Sequence, residues 1–283
     1  MSELINHNIK NKYKVINLIG KGNFSEILQC LNINNNNIIA MKIEPTNTLY
    51  KTLTNEAKII NYLQDNKCKY IPTLFWYGKY LNYNCMAISY YDYSFTEHIQ
   101  KNVLTIQEIN SYIIQIISIL SDIHHNFVIH RDLKPDNFMF KNNKLYIIDF
   151  GLSTYYINEH EQHITNETHT NILGSPNYIS YNIHIGNTYS RRDDLISIMY
   201  MYIELVYPNL PWANIRNQMH TEFNHLHILN PANIERQQSK SIDNIKTLFI
   251  NNEILSDIFI YLYNLSFSSK PLYEYLIDKL SEI

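Results

Sequence analysis

Only 6 glycines, 8 prolines and 3 cysteines occur among the 283 residues. So little glycine and proline excludes collagen-like and low-complexity chains. Cys30, Cys68 and Cys85 are far apart and show none of the paired spacings that mark a zinc site or a redox dithiol, so buried, reduced thiols are expected. No apolar run approaches the ~20 residues that span a bilayer. The opening stretch MSELINHNIKNKYKV is polar and lacks the apolar core of a secretory leader. An intracellular protein, cytoplasmic or nuclear and without membrane contact, is therefore expected. An excess of charge of one sign is missing too. A formal net charge of -3 gives no argument for a nucleic-acid or anionic-membrane partner.

What is present describes a globular chain. Hydrophobic residues make up 45% and charged residues 17%, enough to build a packed core. The length allows one folded unit of residues 1–283 and no further full-sized domain. Abundant Asn, Ile, Lys and Tyr, including the run at 34–37, fit the codon bias of an AT-rich genome better than a functional tract.

Residues 13–19, 25–31, 38–43, 74–77 and 85–90 read as short strands. They are interrupted by a helix over 53–63, where Leu53, Ala57, Ile60 and Leu63 recur at steps of three and four. Beyond residue 91 the pattern turns helical, with long segments at 106–124 and 193–207 and weaker ones toward the end. The reading is an α+β protein of two lobes, a small β-rich lobe at 1–89 with one main helix and a larger helical lobe at 90–283. Crevices between lobes are favoured ligand sites. The polar segment 158–171 is the best candidate for a mobile loop.

Five motifs carry chemistry. In IGKGNFSEI, residues 19–27, Gly20 and Gly22 lie between two expected strands, where glycines allow close approach to phosphate oxygens; an ordinary hairpin turn looks the same. Ser25 stands where a third glycine is usual. Lys42 sits inside the apolar strand IIAMKIE, either snorkelling to solvent or facing a ligand. Glu56, fourteen residues later, is a solvated helix charge or a partner for that ammonium. VIHRDLKPDNFMF, residues 128–140, and LYIIDFGLS, residues 145–153, complete the set.

In this order, the Gly-rich turn, Lys42, Glu56, HRDLKPDN and DFG resemble the protein kinase superfamily. The resemblance implies a bilobal protein kinase-like fold with ATP and Mg²⁺ as cofactors. Phosphoryl transfer needs a triphosphate held, neutralised and placed in line with a hydroxyl. By resemblance, Asp132 orients or receives the hydroxyl proton, Lys134 stabilises charge on the moving group, and Asn137 and Asp149 ligate the metal. Lys42, held by Glu56, contacts phosphates. The same resemblance has Gly20, Lys21, Gly22, Asn23 and Phe24 cover the nucleotide, and Ile19, Ile27 and Ala40 wall the adenine pocket. Ile88 lies at its back, and the backbone up to Tyr90 and Tyr91 pairs with the base. A lysine at position 134 resembles serine/threonine kinases.

The stretch LGSPNYISYNIHIGNTYSRRDDL, residues 173–195, resembles the casein kinase 1 family. Ser180, Tyr181 and Asn182 replace the usual Ala-Pro-Glu and are followed by Ser190 to Asp194. LPW at 210–212 and KPLYEYL at 270–276 continue the likeness, and the arginine after His130 sets the chain apart from vaccinia-related kinases. The resemblance places Ser175 beside Asp132 and Lys134 as a holder of the substrate hydroxyl, and has Asp194 brace the catalytic loop. One departure stands out: the arginine expected near 176–178 is Asn177, and the loop before it holds Glu159, Glu161 and Glu167 and no Lys or Arg. Weak use of primed acidic substrates is expected.

With no regulatory tail in view, basal activity is expected, on protein substrates and in a chain that need not be more than a monomer. The alternative is a pseudokinase scaffold, which has no chemical need for the complete set Lys42, Glu56, Asp132, Asn137 and Asp149.

Overall fold

A computed structural model describes residues 3–22, 25–48, 51–207, 210–216 and 226–283. In chain order the elements begin with β1 (Asn8–Ile9), β2 (Tyr13–Lys21), β3 (Glu26–Asn32), β4 (Asn37–Pro45), α1 (Thr52–Asp65), β5 (Leu74–Tyr80), β6 (Tyr83–Ser89) and β7 (Tyr93–Ser94). Then follow α2 (Phe95–Lys101), α3 (Ile106–His125), β8 (Val128–Ile129), β9 (Phe138–Lys141), β10 (Lys144–Ile147) and β11 (Thr154–Tyr155). The remainder is helical: α4 (Tyr181–His184), α5 (Arg191–Val206), α6 (Pro231–Ser239), α7 (Ile242–Leu248), α8 (Glu253–Asn264) and α9 (Tyr273–Ser281). No helix among the described residues is long and apolar enough to cross a membrane. The chain divides into two compact units, Met1–Phe95 with Phe138–Leu152, and Thr96–Asn137 with Ser153–Ile283.

The first unit is built on a six-stranded antiparallel sheet, β1-β2-β3-β4-β6-β5. Period-two alternation sets its core. Ile39, Met41 and Ile43 of β4 are buried with Leu28, Cys30, Cys85 and Ala87, which leaves Ala40, Lys42 and Glu44 on the opposite face. The stripe Leu53, Ala57, Ile60 and Leu63 of α1 is buried. No side chain at Lys51 caps this helix. Glu44, fully buried, does so from β4: its Oε1 accepts from Thr52 Oγ1 at 2.9 Å and from the Leu53 amide at 3.3 Å. A carboxylate there satisfies an orphan N–H and complements the helix dipole. The segment Phe138–Leu152 belongs to this unit because β7 pairs with β9, and β9 with β10, in a second small sheet. Asn142 and Asn143, both at positive φ, make the two-residue turn of the β9-β10 hairpin. All three cysteines are buried free thiols.

The second unit is mainly helical. α3 opens with a capping box between Thr105 and Glu108 and buries Ile109, Ile113, Ile116, Ile117, Leu120 and Ile123. Each such side chain contributes about 1.5–3 kcal/mol of burial. α3 packs against α5 and α9. In α5 every residue from Arg192 to Ile203 is buried, as in a helix with neighbours all round. The segment 158–171 is irregular but tied down. The Glu167 amide donates to Thr188 Oγ1 at 2.9 Å and the His169 amide to Gly186 O at 2.7 Å.

Candidate active site

In the first unit, strand register places Ile27, Lys42 and Met86 in one row and Ala40 opposite Ile88 in the next row on the same face; Gly20 lies opposite Ile27. Lys42 Nζ donates to Glu56 Oε2 at 2.7 Å and to Asp149 Oδ1 at 2.9 Å. Burial alone lowers a lysine's pKa. Here the two carboxylates outweigh it and hold Lys42 above the ordinary lysine range, so the ammonium is charged. Burial pushes the Glu56 carboxyl up to about 7 against the pull of Lys42. Asp149 sits at φ 64° in the left-handed region, a conformation that costs a non-glycine residue energy and is tolerated where the surroundings impose it. Part of that constraint is Asn55 Nδ2, which donates to Gly151 O at 3.1 Å and ties α1 to the turn after Asp149.

The other expected nucleotide contacts line up unevenly. Ala40 and Tyr91 are buried, Ile27, Ile88 and Tyr90 half-buried, and Ile19, Lys21 and Gly22 exposed. Asn23 and Phe24 lie outside the described residues. At Gly20 an added Cβ would stand 3.5 Å from Ile27, an ordinary contact at an unstrained φ, so the protein's own packing does not require the glycine.

The second unit gathers Asp132, Lys134, Asn137 and Ser175. Lys134 Nζ donates to Asp132 Oδ2 at 3.0 Å and to Ser175 Oγ at 3.1 Å, while Ser175 Oγ donates to Asp132 Oδ1 at 2.7 Å. Asn137 Nδ2 donates to Asp132 O at 2.7 Å and so is committed to the loop, which leaves Oδ1 as the atom for a ligand. Beneath them Asp194, fully buried at the start of α5, accepts the His130 amide at 2.7 Å and the Arg131 amide at 2.8 Å. Burial would raise the Asp194 pKa, but hydrogen bonds and charge from His124, with His130, hold it below the usual carboxylate value. At Gly174 a Cβ would meet Arg131 O at 2.6 Å, and φ is +94°, so only glycine lets the chain pass here into Ser175.

Several contributors escaped the sequence reading. Glu44 caps α1; the signal was a charged residue ending a strand before a helix with no cap of its own. His124 bridges Tyr273 OH at 2.7 Å and Asp194 Oδ2 at 3.0 Å, a link between α3, α5 and α9 that periodicity does not show. Ser180 Oγ donates to Asp193 Oδ1 at 2.6 Å and Asn182 Nδ2 to the same oxygen at 3.0 Å, which gives the Ser-Tyr-Asn variant a physical role.

A family model described as "Protein kinase domain" matches residues 13–277. The match covers both units and every motif residue above, and the chain belongs to the protein kinase family.

Proposed function

We propose that this chain is an active serine/threonine kinase of casein kinase 1 type that transfers the γ-phosphate of ATP to hydroxyls of protein substrates. The observation that carries this reading is the closed triangle of Asp132, Lys134 and Ser175, with all three sides at 2.7–3.1 Å. An acceptor hydroxyl entering it meets a carboxylate for its proton, a cation for the charge on the moving phosphoryl group and a hydroxyl to orient it. The bond from the acceptor oxygen to γ-phosphorus forms as the bond to the bridging β,γ-oxygen breaks. ADP leaves, and the hydroxyl proton passes to Asp132. Lys42, kept charged by Glu56 and Asp149, is the cation for the nucleotide's phosphates.

Asn137 Oδ1 and the Asp149 carboxylate are hard oxygen donors that suit Mg²⁺. Such an ion is held mainly by phosphates and water, with one or two protein oxygens beside them. When bound, that ion would neutralise phosphate charge.

Support for the casein kinase 1 type comes from the Ser180 and Asn182 bonds to Asp193. Against the family's taste for primed substrates stand the exposed Glu159, Glu161 and Glu167, and Asn177, whose carbonyl is occupied by Trp212 Nε1 at 2.9 Å.

Radiolabelled transfer from Mg²⁺-ATP to casein and to paired primed and unprimed peptides tests the reading. Asp132→Asn should lower serine and threonine labelling by at least about a hundredfold, and priming should give little advantage. Folded, ATP-binding wild-type protein that labels no better than the variant would make the chain a scaffold.

A further inference from the structure

The turn that carries Ser175 is fastened at both ends, and only one end belongs to the chemistry already described. The Tyr178 and Ile179 amides donate back to Ser175 O at 2.9 and 3.0 Å, which closes the turn. Its outward carbonyls are taken by side chains distant in sequence. Lys240 Nζ reaches Pro176 O and Ile179 O, each at 2.8 Å, and Trp212 Nε1 reaches Asn177 O at 2.9 Å. A third contact of Lys240 Nζ is His184 Nε2 at 3.1 Å.

Hydrogen-bond donors and acceptors match throughout this site. Asn233 Nδ2 donates to His184 O and Ile228 O, so its Oδ1 faces His184 Nδ1 at 2.5 Å and must accept from it. Neutral His184 then presents Nε2 as an acceptor. An ammonium carries three N–H donors, and the site offers three acceptors. The rings of Tyr200 and Trp212 lie 4.8 and 5.2 Å from Nζ, in the range where an aromatic face attracts a cation. The Lys240 backbone is fixed as well, because it caps the C-terminus of α6 and its carbonyl accepts from Tyr263 OH at 2.8 Å.

Lys240 is fully buried, and among the described residues no carboxylate pairs with it. Burying a cationic group without a counter-ion is costly, and a methionine would fill the space without that cost. Burial, with Arg236 adding to it, pulls the Lys240 pKa well below the ordinary lysine value. The arrangement is explained if the carbonyls of the turn must be held in place.

We propose that Lys240, assisted by Trp212, is a positioning residue for the phosphoacceptor: it fixes the 175–179 turn, and so keeps the Ser175 hydroxyl on Asp132. This rests on the kinase reading above, since only a transferase has an acceptor to position.

Steady-state kinetics and amide hydrogen exchange on wild type, Lys240→Met and Trp212→Phe separate the two ideas. In Lys240→Met the KM for a protein or peptide acceptor should rise about tenfold and kcat should fall, with the KM for ATP unchanged. Exchange should quicken over residues 174–180. Lys240→Gln, with two donors left, should recover part of both losses. Trp212→Phe keeps a ring and loses one N–H, so it should shift the same readings less. It also decides the matter if Lys240→Met does not fold. A lower melting temperature with unchanged acceptor KM and unchanged exchange at 174–180 would overturn the proposal, as would equal losses for ATP and acceptor. If wild type transfers nothing, the kinase reading fails on its own. The exchange data still rule on the tether, which is sunk if those amides do not respond.

Discussion

Lys42 and Lys240 are the same residue type, each withdrawn from water, one in each unit, and they are held by opposite means. Lys42 has two carboxylates within 2.9 Å, Glu56 and Asp149, which raise its pKa. Lys240 has two carbonyls, an imidazole nitrogen and two ring faces, and its pKa falls. Partners rather than burial alone thus decide what a buried lysine can do. The side chain of Lys42 keeps 13% of its surface, and Asp149 keeps 42%, so a charged group beside a half-exposed carboxylate remains open to an anion. Lys240 keeps none, and each of its donors is spent on the protein itself.

The largest effect that tests this contrast is expected from Lys42→Met. Transfer should fall by about 10²–10³-fold, the range seen when one electrostatic contact to a developing charge is lost. Stranding a charged Glu56 would cost about 3–5 kcal/mol. Because burial already pushes that carboxyl up to about 7, it can take a proton near neutrality once Lys42 is gone. The stability loss should therefore stay below about 2 kcal/mol, measured by urea unfolding at pH 7. Severe unfolding with little kinetic effect in the folded fraction would make Lys42 a purely structural residue and erase the distinction. Glu56→Gln is the milder version. An amide oxygen still accepts from Lys42 and Asp149 remains, so a drop of about tenfold in kcat/KM is expected. No change at all would mean that Asp149 alone fixes the ammonium.

How visible each lysine is in the sequence follows from how it is held. Lys42 stands in a strand whose odd-numbered residues Ile39, Met41 and Ile43 fill the core, so alternation turns it to the other face. Glu56 lies one residue before Ala57 of the α1 stripe, at a position that periodicity also buries. Helix and strand limits fall within three residues of the sequence reading; β5, for example, runs on to Tyr80. The β9-β10 hairpin was legible in principle from Asn142-Asn143 between apolar runs, but the motif on either side of it drew the reading. Lys240 gave no signal. It follows Gln237, Gln238 and Ser239 in a polar stretch that reads as surface, and its partners Pro176 and Ile179 are 64 and 61 residues upstream. Burial of that kind comes from how α6 ends against the 175–179 turn, a tertiary fact with no period. Glu44 is an intermediate case: its position at the end of a strand was visible, its service to α1 was not.

The smallest expected effect is on pH dependence, and its sign separates the two lysines. For Lys240 the unfolded chain holds the proton up to about 10.4 while the folded chain holds it less firmly. Between the lowered folded-state value and about 10.4 the unfolded state binds more protons, so over that range this residue makes stability rise with pH and makes the fold weaker as pH falls. Lys42 is raised, so its own contribution is already complete below about 10.4 and adds no rising limb over the same range. His184, the nearest titratable neighbour, is held well below its usual value by burial and by Lys240, and stays neutral throughout. Urea unfolding of wild type and Lys240→Met at pH 7 and pH 9.5 tests this, because the two proteins differ at that side chain alone. The stability of wild type relative to the variant should increase at the higher pH. A relative stability that is constant or shrinks would mean that the carbonyls and rings hold the Lys240 ammonium as well as two carboxylates hold that of Lys42.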